Sequence, residues 1–286
     1  MRDAKAVITS FVLLVLALSL TGGIFPVQAI TWGTEDTTNI YENVGTVVFY
    51  HLVYDDYFLL CSGTLIYEGD GNGYGAVFLT AAHCTYYLEL GTDQGIIDPE
   101  EIYVSFDPLA PLNDDTWYKV TEIHSHPDYN PLTNRPDVGV LILDEYVGGI
   151  TPATLPEEGF LDDLRRERML RPKGSTGAYF TVAGYGGALE WPPPVITYPD
   201  TRSYADSQFQ TLLKTQLLLS QNYARDGNGG TCYGDSGGPV FWEPTTPGEG
   251  ILVAVTSWGD ANCIAAGFYY RIDTAEALNF IYEYIP

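Results

Sequence analysis

The run Cys232-Tyr233-Gly234-Asp235-Ser236-Gly237-Gly238-Pro239 restricts what this chain can become more than any other stretch. Glycines on both sides of Ser236 permit backbone angles that a side chain forbids, so the serine sits in a tight turn that another backbone can approach closely. The backbone N–H groups of Gly234 and Ser236 can then face one point, where an oxyanion would form. A serine hydroxyl is a weak nucleophile by itself. Such a turn has chemical meaning only if the rest of the chain supplies a base and a group to orient that base.

Most of the remaining chain reads as strands. Short runs rich in Val, Tyr, Phe and Leu recur at 46–52, 59–67, 76–80, 101–106, 118–124 and 138–143, and again at 179–184, 212–219, 239–242, 251–258 and 268–272. Clusters of Gly, Pro, Asn and Asp separate them, and the Trp191-Pro192-Pro193-Pro194 segment reads as an irregular surface loop. Two segments carry helical periodicity instead. Over 157–171, Phe160, Leu161, Leu164 and Leu170 recur among Asp, Glu and Arg, which predicts an amphipathic connector between two halves. Over 273–284, Asp273 or Thr274 can cap a final helix whose apolar side is Ala277, Leu278 and Ile281. No internal sequence repeat is visible.

Charge narrows the partners. With 37 acidic against 13 basic residues the formal net charge is -24, which disfavours nucleic acid and anionic membranes. Total charge is only 17%, so the acidity reads as a soluble surface rather than disorder. Residues 1–29 read as an export signal: Arg2 and Lys5 precede an apolar run from Ala6 to Leu20, and Val27-Gln28-Ala29 is a small-residue cleavage site. The four cysteines of an exported chain are expected to pair, and four allow three connectivities.

Two places invite a metal. The loop Glu68-Gly69-Asp70-Gly71-Asn72-Gly73-Tyr74-Gly75 has oxygen ligands, but it lacks the full spacing and closing Glu of a calcium loop and reads as a hairpin turn. His124 and His126 would share one strand face, yet no Cys or carboxylate partner stands at a clear spacing, so they read as ordinary hydrogen-bonded histidines. No metal and no organic cofactor is expected.

Upstream of Ser236, Phe78-Leu79-Thr80-Ala81-Ala82-His83-Cys84 places a histidine at a strand end, and Asn134-Arg135-Pro136-Asp137-Val138-Gly139-Val140-Leu141 places an aspartate at the start of another strand. With these three islands, in the order His, Asp, Ser, the chain resembles the chymotrypsin/trypsin family of serine peptidases from Ile30 to about Ile285. The resemblance implies an all-β fold: two six-stranded antiparallel Greek-key barrels, a short interbarrel helix and a C-terminal helix. The first barrel with its N-terminal arm would occupy 30–153, the connector 154–174 and the second barrel 175–286.

It further implies that His83 is the general base and acid, Asp137 orients it, and Ser236 is the acylating nucleophile, with Gly234 and Ser236 forming the oxyanion hole. Cys61 and Cys84 would bridge beside the histidine, and Cys232 and Cys263 beneath the specificity pocket, each stabilising the fold by about 3 kcal/mol. Thr154 occupies the place of an interbarrel cysteine common in animal members. Ser257-Trp258-Gly259 would pair with substrate backbone. Gly230 and Thr231 would form the pocket base, with Gly259 and Gly267 on its walls, and without a fixed negative charge this slot suits a large apolar or aromatic side chain. Signal removal would expose Ile30, whose amino group would pair with Asp235. The expected molecule is a secreted endopeptidase acting on protein or peptide, without stable membrane association once the signal is cut. Its rivals are a silent binding protein on the same scaffold and a secreted esterase.

Overall fold

The turn signals resolve into fifteen strands among the described residues of the computed structural model, which are 30–71, 73–109, 116–172, 177–190, 195–243 and 246–286. The proposed export signal and the Trp191–Pro194 loop lie outside them. The first half contains β1 (Thr34–Glu35), β2 (Val44–His51), β3 (Asp56–Tyr67), β4 (Val77–Thr80), β5 (Ile97–Ser105), β6 (Tyr118–Ser125) and β7 (Gly139–Leu143). The second contains β8 (Tyr179–Gly184), β9 (Ala188–Glu190), β10 (Val195–Thr197), β11 (Ser203–Leu212), β12 (Gln216–Ser220), β13 (Pro239–Trp242), β14 (Ile251–Gly259) and β15 (Ala266–Arg271). The helices are α1 (Ala82–Asp93), α2 (Phe160–Arg166), α3 (Tyr223–Asp226) and α4 (Ala275–Tyr282).

Strands β2-β3-β4-β7-β6-β5 close into one antiparallel barrel. Strands β8-β11-β12-β15-β14-β13 close into another, because β8 pairs with both β13 and β11. Taken within each barrel, the strand order is the same, a repetition of topology that the sequence conceals. Closure leaves no long unpaired edge in either sheet. The all-β double-barrel architecture expected from the sequence is therefore present.

Each barrel has its own core. Phe78, Leu65, Val104, Leu141 and the Cys61–Cys84 bridge fill the first, while Phe180, Leu217, Leu219, Val253 and Tyr269 fill the second. A third cluster, in which Val44, Leu79 and Val138 meet Val255, Tyr270 and Phe280, joins the two barrels. Fully burying side chains of this size is worth about 1.5–3 kcal/mol each, so the seam between barrels is as firmly packed as their interiors. Helix α4 seals it with Ala277, Phe280 and Ile281, and Thr274 caps the helix by accepting from the Ala277 N–H.

Some local structure departs from the sequence reading. The connector helix is shorter than 157–171, covering only Phe160–Arg166, because Leu170 packs as an irregular segment beyond it. Strand β11 escaped notice: Ser203, Ser207 and Gln208 are buried polar residues that blur its alternation. His83 stands in the first turn of α1, where a strand end was expected, since no Gly or Pro interrupts 82–90. The N-terminal arm, grouped by sequence with the first half, pairs through β1 with β11 of the second barrel.

That arm is held by a buried ion pair. Arg202 Nε contacts Asp36 at 2.9 Å with both side chains fully buried, and Arg202 also donates to the carbonyls of Val44 and Phe106, to Asn39 and to the Tyr185 hydroxyl. Asp36 in turn accepts from the N–H groups of Ile40 and Tyr41. One guanidinium thus ties the arm and both barrels together. Thr154, at the position where the family resemblance would place an interbarrel cysteine, is fixed instead by a backbone bond from Leu252 N–H to its carbonyl. Among the described residues no helix is long and apolar enough to cross a membrane.

Candidate active site

The three sequence islands converge on the cleft between the barrels. Helix α1 begins without a side-chain cap, which leaves its first N–H groups in need of acceptors. Asp137 supplies one: its Oδ1 accepts the His83 N–H at 2.9 Å. The same carboxylate meets the imidazole, with Nδ1 at 3.1 Å from Oδ1 and 3.0 Å from Oδ2. Asp137 is fully buried and the His83 side chain 14% exposed, so the ring has one face on the protein and one on the cleft. With Nδ1–H donated to the carboxylate, Nε2 is left as the free acceptor.

Asp137 has two further donors. Asn134 Nδ2 reaches Oδ2 at 2.9 Å, and Ser257 Oγ donates to the same oxygen at 2.5 Å. Ser257 points there because β14 carries an irregularity between Thr256 and Trp258, and a bulge re-aims the side chain it contains. Asn134 holds a left-handed backbone, φ 53°, ahead of a cis Arg135–Pro136 bond, and Tyr129 donates to its Oδ1 at 2.7 Å. The sequence reading assigned Ser257 only to substrate backbone and gave Asn134 no role. The signal for Asn134 was its place three residues before Asp137 in a Pro-containing turn.

The turn around Ser236 is pinned to the first barrel by Ser62. The Ser62 N–H donates to the Ser236 carbonyl at 2.9 Å, and its hydroxyl donates to the Gly234 carbonyl at 3.0 Å while accepting from Tyr185 N–H. Gly237, at φ 78°, leaves no room for a side chain: a Cβ would lie 2.0 Å from Thr80 Oγ1 and 2.6 Å from the Ser62 carbonyl. Gly234 adopts φ 95°, so only glycine turns the chain here without strain.

Asp235 is fully buried and accepts from the N–H groups of Gly186 and Cys232, each at 2.8 Å. Burial outweighs those bonds and pushes its pKa up to about 7. No cation pairs with it among the described residues. Ile30 is also fully buried, in the second-barrel core, and Thr31 bridges Gly230 in antiparallel fashion.

Beside Ser236 lies a slot of about 200 Å³ between Thr231, the Cys232–Cys263 disulfide, Tyr233 and the Thr256–Gly259 strand end. Trp258 lies face to face with Phe268, ring centroids 3.6 Å apart. Gly230 and Gly267 stand behind this slot rather than facing it: a Cβ on Gly230 would lie 2.2 Å from Gln221, and one on Gly267 would lie 2.3 Å from the Tyr269 hydroxyl. Gln221 Nε2 is bonded to the Thr231 carbonyl and hydroxyl, which closes the floor. Asp260, which the sequence reading passed over, also lines the slot, but its carboxylate accepts the N–H groups of Asn262, Ile264, Ala265 and Ala266.

Among the described residues, neither the 68–75 turn nor the His124/His126 pair gathers a set of metal ligands. Asp70 closes its hairpin by accepting from Tyr74 N–H, and Asn72 lies outside the described residues. His124 contacts Glu122, whereas His126 is buried against Phe280 and accepts from Asp128 N–H. His83 does lie close to Cys61 and Cys84, but their thiols are consumed in a disulfide and offer no thiolate to an ion.

Two closed barrels, with a buried carboxylate, an imidazole and a glycine-cradled serine at their junction, define a double-barrel protein. The family model described as Trypsin matches residues 47–281, and the chain belongs to the chymotrypsin/trypsin-like serine peptidase family. It is 25% identical over 268 residues to a phenoloxidase-activating enzyme of Bombyx mori, covering 80% of this chain and 53% of that protein. It is 27% identical over 208 residues to the clotting factor G beta subunit of Tachypleus tridentatus, covering 70% and 62% respectively. The chain thus spans between half and two thirds of these relatives. A solved structure titled HL collagenase shares the fold, with TM-score 0.63 and 17% identity over 89% of this chain and 97% of that one.

Proposed function

We propose that this chain is an exported serine endopeptidase that works through an acyl-enzyme. What carries the reading is the double contact of His83 Nδ1 with the fully buried Asp137 carboxylate. That contact fixes the tautomer whose Nε2 can accept a proton, and it stabilises the imidazolium formed when the proton arrives. Ser236 Oγ attacks the scissile carbonyl carbon and gives its proton to His83 Nε2. The N–H groups of Gly234 and Ser236 hold the oxyanion. Collapse breaks the C–N bond, and His83 returns the proton to the departing amine. Water, giving a proton to the same imidazole, then attacks the Ser236 ester carbon; the bond to Oγ breaks, His83 returns the proton to Oγ, and the acid product leaves.

The acyl-side residue enters the slot beside Trp258, and its backbone pairs with Ser257–Gly259. Thr231 and the disulfide form walls without a free carboxylate, because Asp260 is occupied by backbone donors. This favours a large apolar or aromatic residue over Lys or Arg. Release of the chain at Ile30 activates it: the new amino group pairs with Asp235, whose buried carboxyl otherwise meets, among the described residues, two N–H groups. The paired cysteines suit an oxidising, extracellular compartment.

A fluorophosphonate that labels wild-type chain beginning at Ile30, but not Ser236→Ala, together with peptide hydrolysis lost in the same variant, is the expected result. Labelling without peptide turnover would favour an esterase, and no labelling at all a silent binding module. Amino-terminal sequencing of active enzyme tests the start at Ile30, and digestion of a peptide library reads the acyl-side preference.

A further inference from the structure

A second cavity, of about 430 Å³, lies against the same turn on the side away from the slot. Tyr233 lines both spaces, Ser236 lines the slot, and Gly234 lines this cavity, so the two are separated by the serine turn itself. The opposite wall is Phe58 and Leu59 of β3, the strand that carries Cys61 and hence the bridge beside His83. If the acyl half of a substrate pairs with Ser257–Gly259, its amine half must depart across Gly234 toward β3. The cavity stands where that half lies when His83 protonates the leaving nitrogen.

Its chemistry is mixed. Phe58, Leu59, Tyr198 and Tyr233 offer aromatic and aliphatic surface, and Asp200 brings one carboxylate to the mouth. Asp200 has neither a hydrogen bond nor an ion pair among the described residues, and partial desolvation raises its pKa. With a formal net charge of -24, the chain supplies few cations of its own to pair it. A partly desolvated, unpaired carboxylate beside aromatic faces suits a long side chain with an apolar stem and a cationic head.

Resting on the proposed endopeptidase activity, we infer that this cavity is a leaving-group subsite that selects Lys or Arg within the first two residues after the scissile bond, with Asp200 as the residue that sets the preference. The enzyme would then read two features at once, an apolar residue before the bond and a basic one after it.

The test uses full-length enzyme processed to Ile30 and internally quenched peptides with Phe before the scissile bond. Arg, Leu or Glu is placed at either of the two following positions. Arg is expected to exceed Glu by tenfold or more in kcat/KM, and Leu severalfold, at one of them. Asp200→Asn keeps the left-handed backbone that Asp200 adopts, φ 53°. It should bring the Arg-to-Leu ratio near one while leaving unchanged the turnover of an acyl-Phe aminocoumarin, which has no residues after the bond. High salt should shrink the ratio in wild type and not in Asp200→Asn, and Asp200→Glu should restore part of it. Equal turnover of the Arg and Leu peptides, or an Arg preference that survives Asp200→Asn, overturns the subsite with the peptidase intact. Failure to turn over any peptide, including the aminocoumarin, overturns the peptidase reading and the subsite with it.

Discussion

Asn134 Nδ2 donates to Asp137 Oδ2 at 2.9 Å from three residues upstream, within the turn that delivers the carboxylate to His83. Together with Ser257 Oγ, it fixes the Asp137 oxygen that faces the imidazole. Hydrogen bonds to charged groups are worth about 1.5–3 kcal/mol. Asn134→Gly, which keeps the left-handed backbone but removes the amide, should lower kcat by about 10-fold to 100-fold with little change in KM. A loss confined to KM would show that Asn134 serves substrate binding instead.

Asp235 sets a pH dependence in chain that retains residues ahead of Ile30. Its carboxyl titrates near 3.8 when unfolded and near 7 in the folded chain, through burial. Between those values the unfolded state binds fewer protons than the folded one, so stability is full below the window, falls as pH rises through it and levels off above. Asp235→Asn should flatten that slope in urea titrations. Under the proposed pairing, release of the Ile30 amino group reverses the sign, because the ionised carboxyl then gains a partner.

Gly230 cannot be changed without moving Gln221. A Cβ there would stand 2.2 Å from Gln221 Cγ, and Gln221 is buried with three hydrogen-bond contacts around Thr231 and Tyr269. Gly230→Ala should cost about 1–3 kcal/mol by overpacking, read as a lowered urea midpoint. Gly230→Asp alone should not create cleavage after Lys or Arg, because its carboxylate meets Gln221 before it reaches the slot. A peptide digest of this variant decides the point.

Arg202→Met should destabilise the fold by about 3–5 kcal/mol, since it leaves Asp36 buried without its cation. Adding Asp36→Asn should recover part of the loss. A Met variant as stable as wild type would mean that the arm is held by packing alone.

Legibility was uneven for physical reasons. Strands β7, β8 and β13 were readable because apolar residues crowd short segments between turn residues. Strand β11 was not, because its buried Ser and Gln side chains find partners only once neighbouring strands are present, as Ser207 Oγ does on the Gly229 carbonyl. The arm at Thr34–Glu35 carried no pattern of its own, and its pairing with Tyr204 and Ser203 depends on a buried arginine, Arg202, that immediately precedes the distant β11.

By itself the sequence determined the chemistry on offer: a serine that only glycines could cradle, a histidine and an aspartate in family order, and cysteines able to pair. Those are properties of residue type and local backbone freedom. Tertiary structure alone decided which groups surround them. It brought Ser257 of one barrel onto Asp137 of the other, set Ser62 beneath the Ser236 turn, filled the space behind Gly230 with Gln221 and opened a cavity by Asp200 on the far side of Gly234. The reason is distance along the chain: 120 residues separate Asp137 from Ser257, and no local pattern records a contact made only when two closed barrels pack.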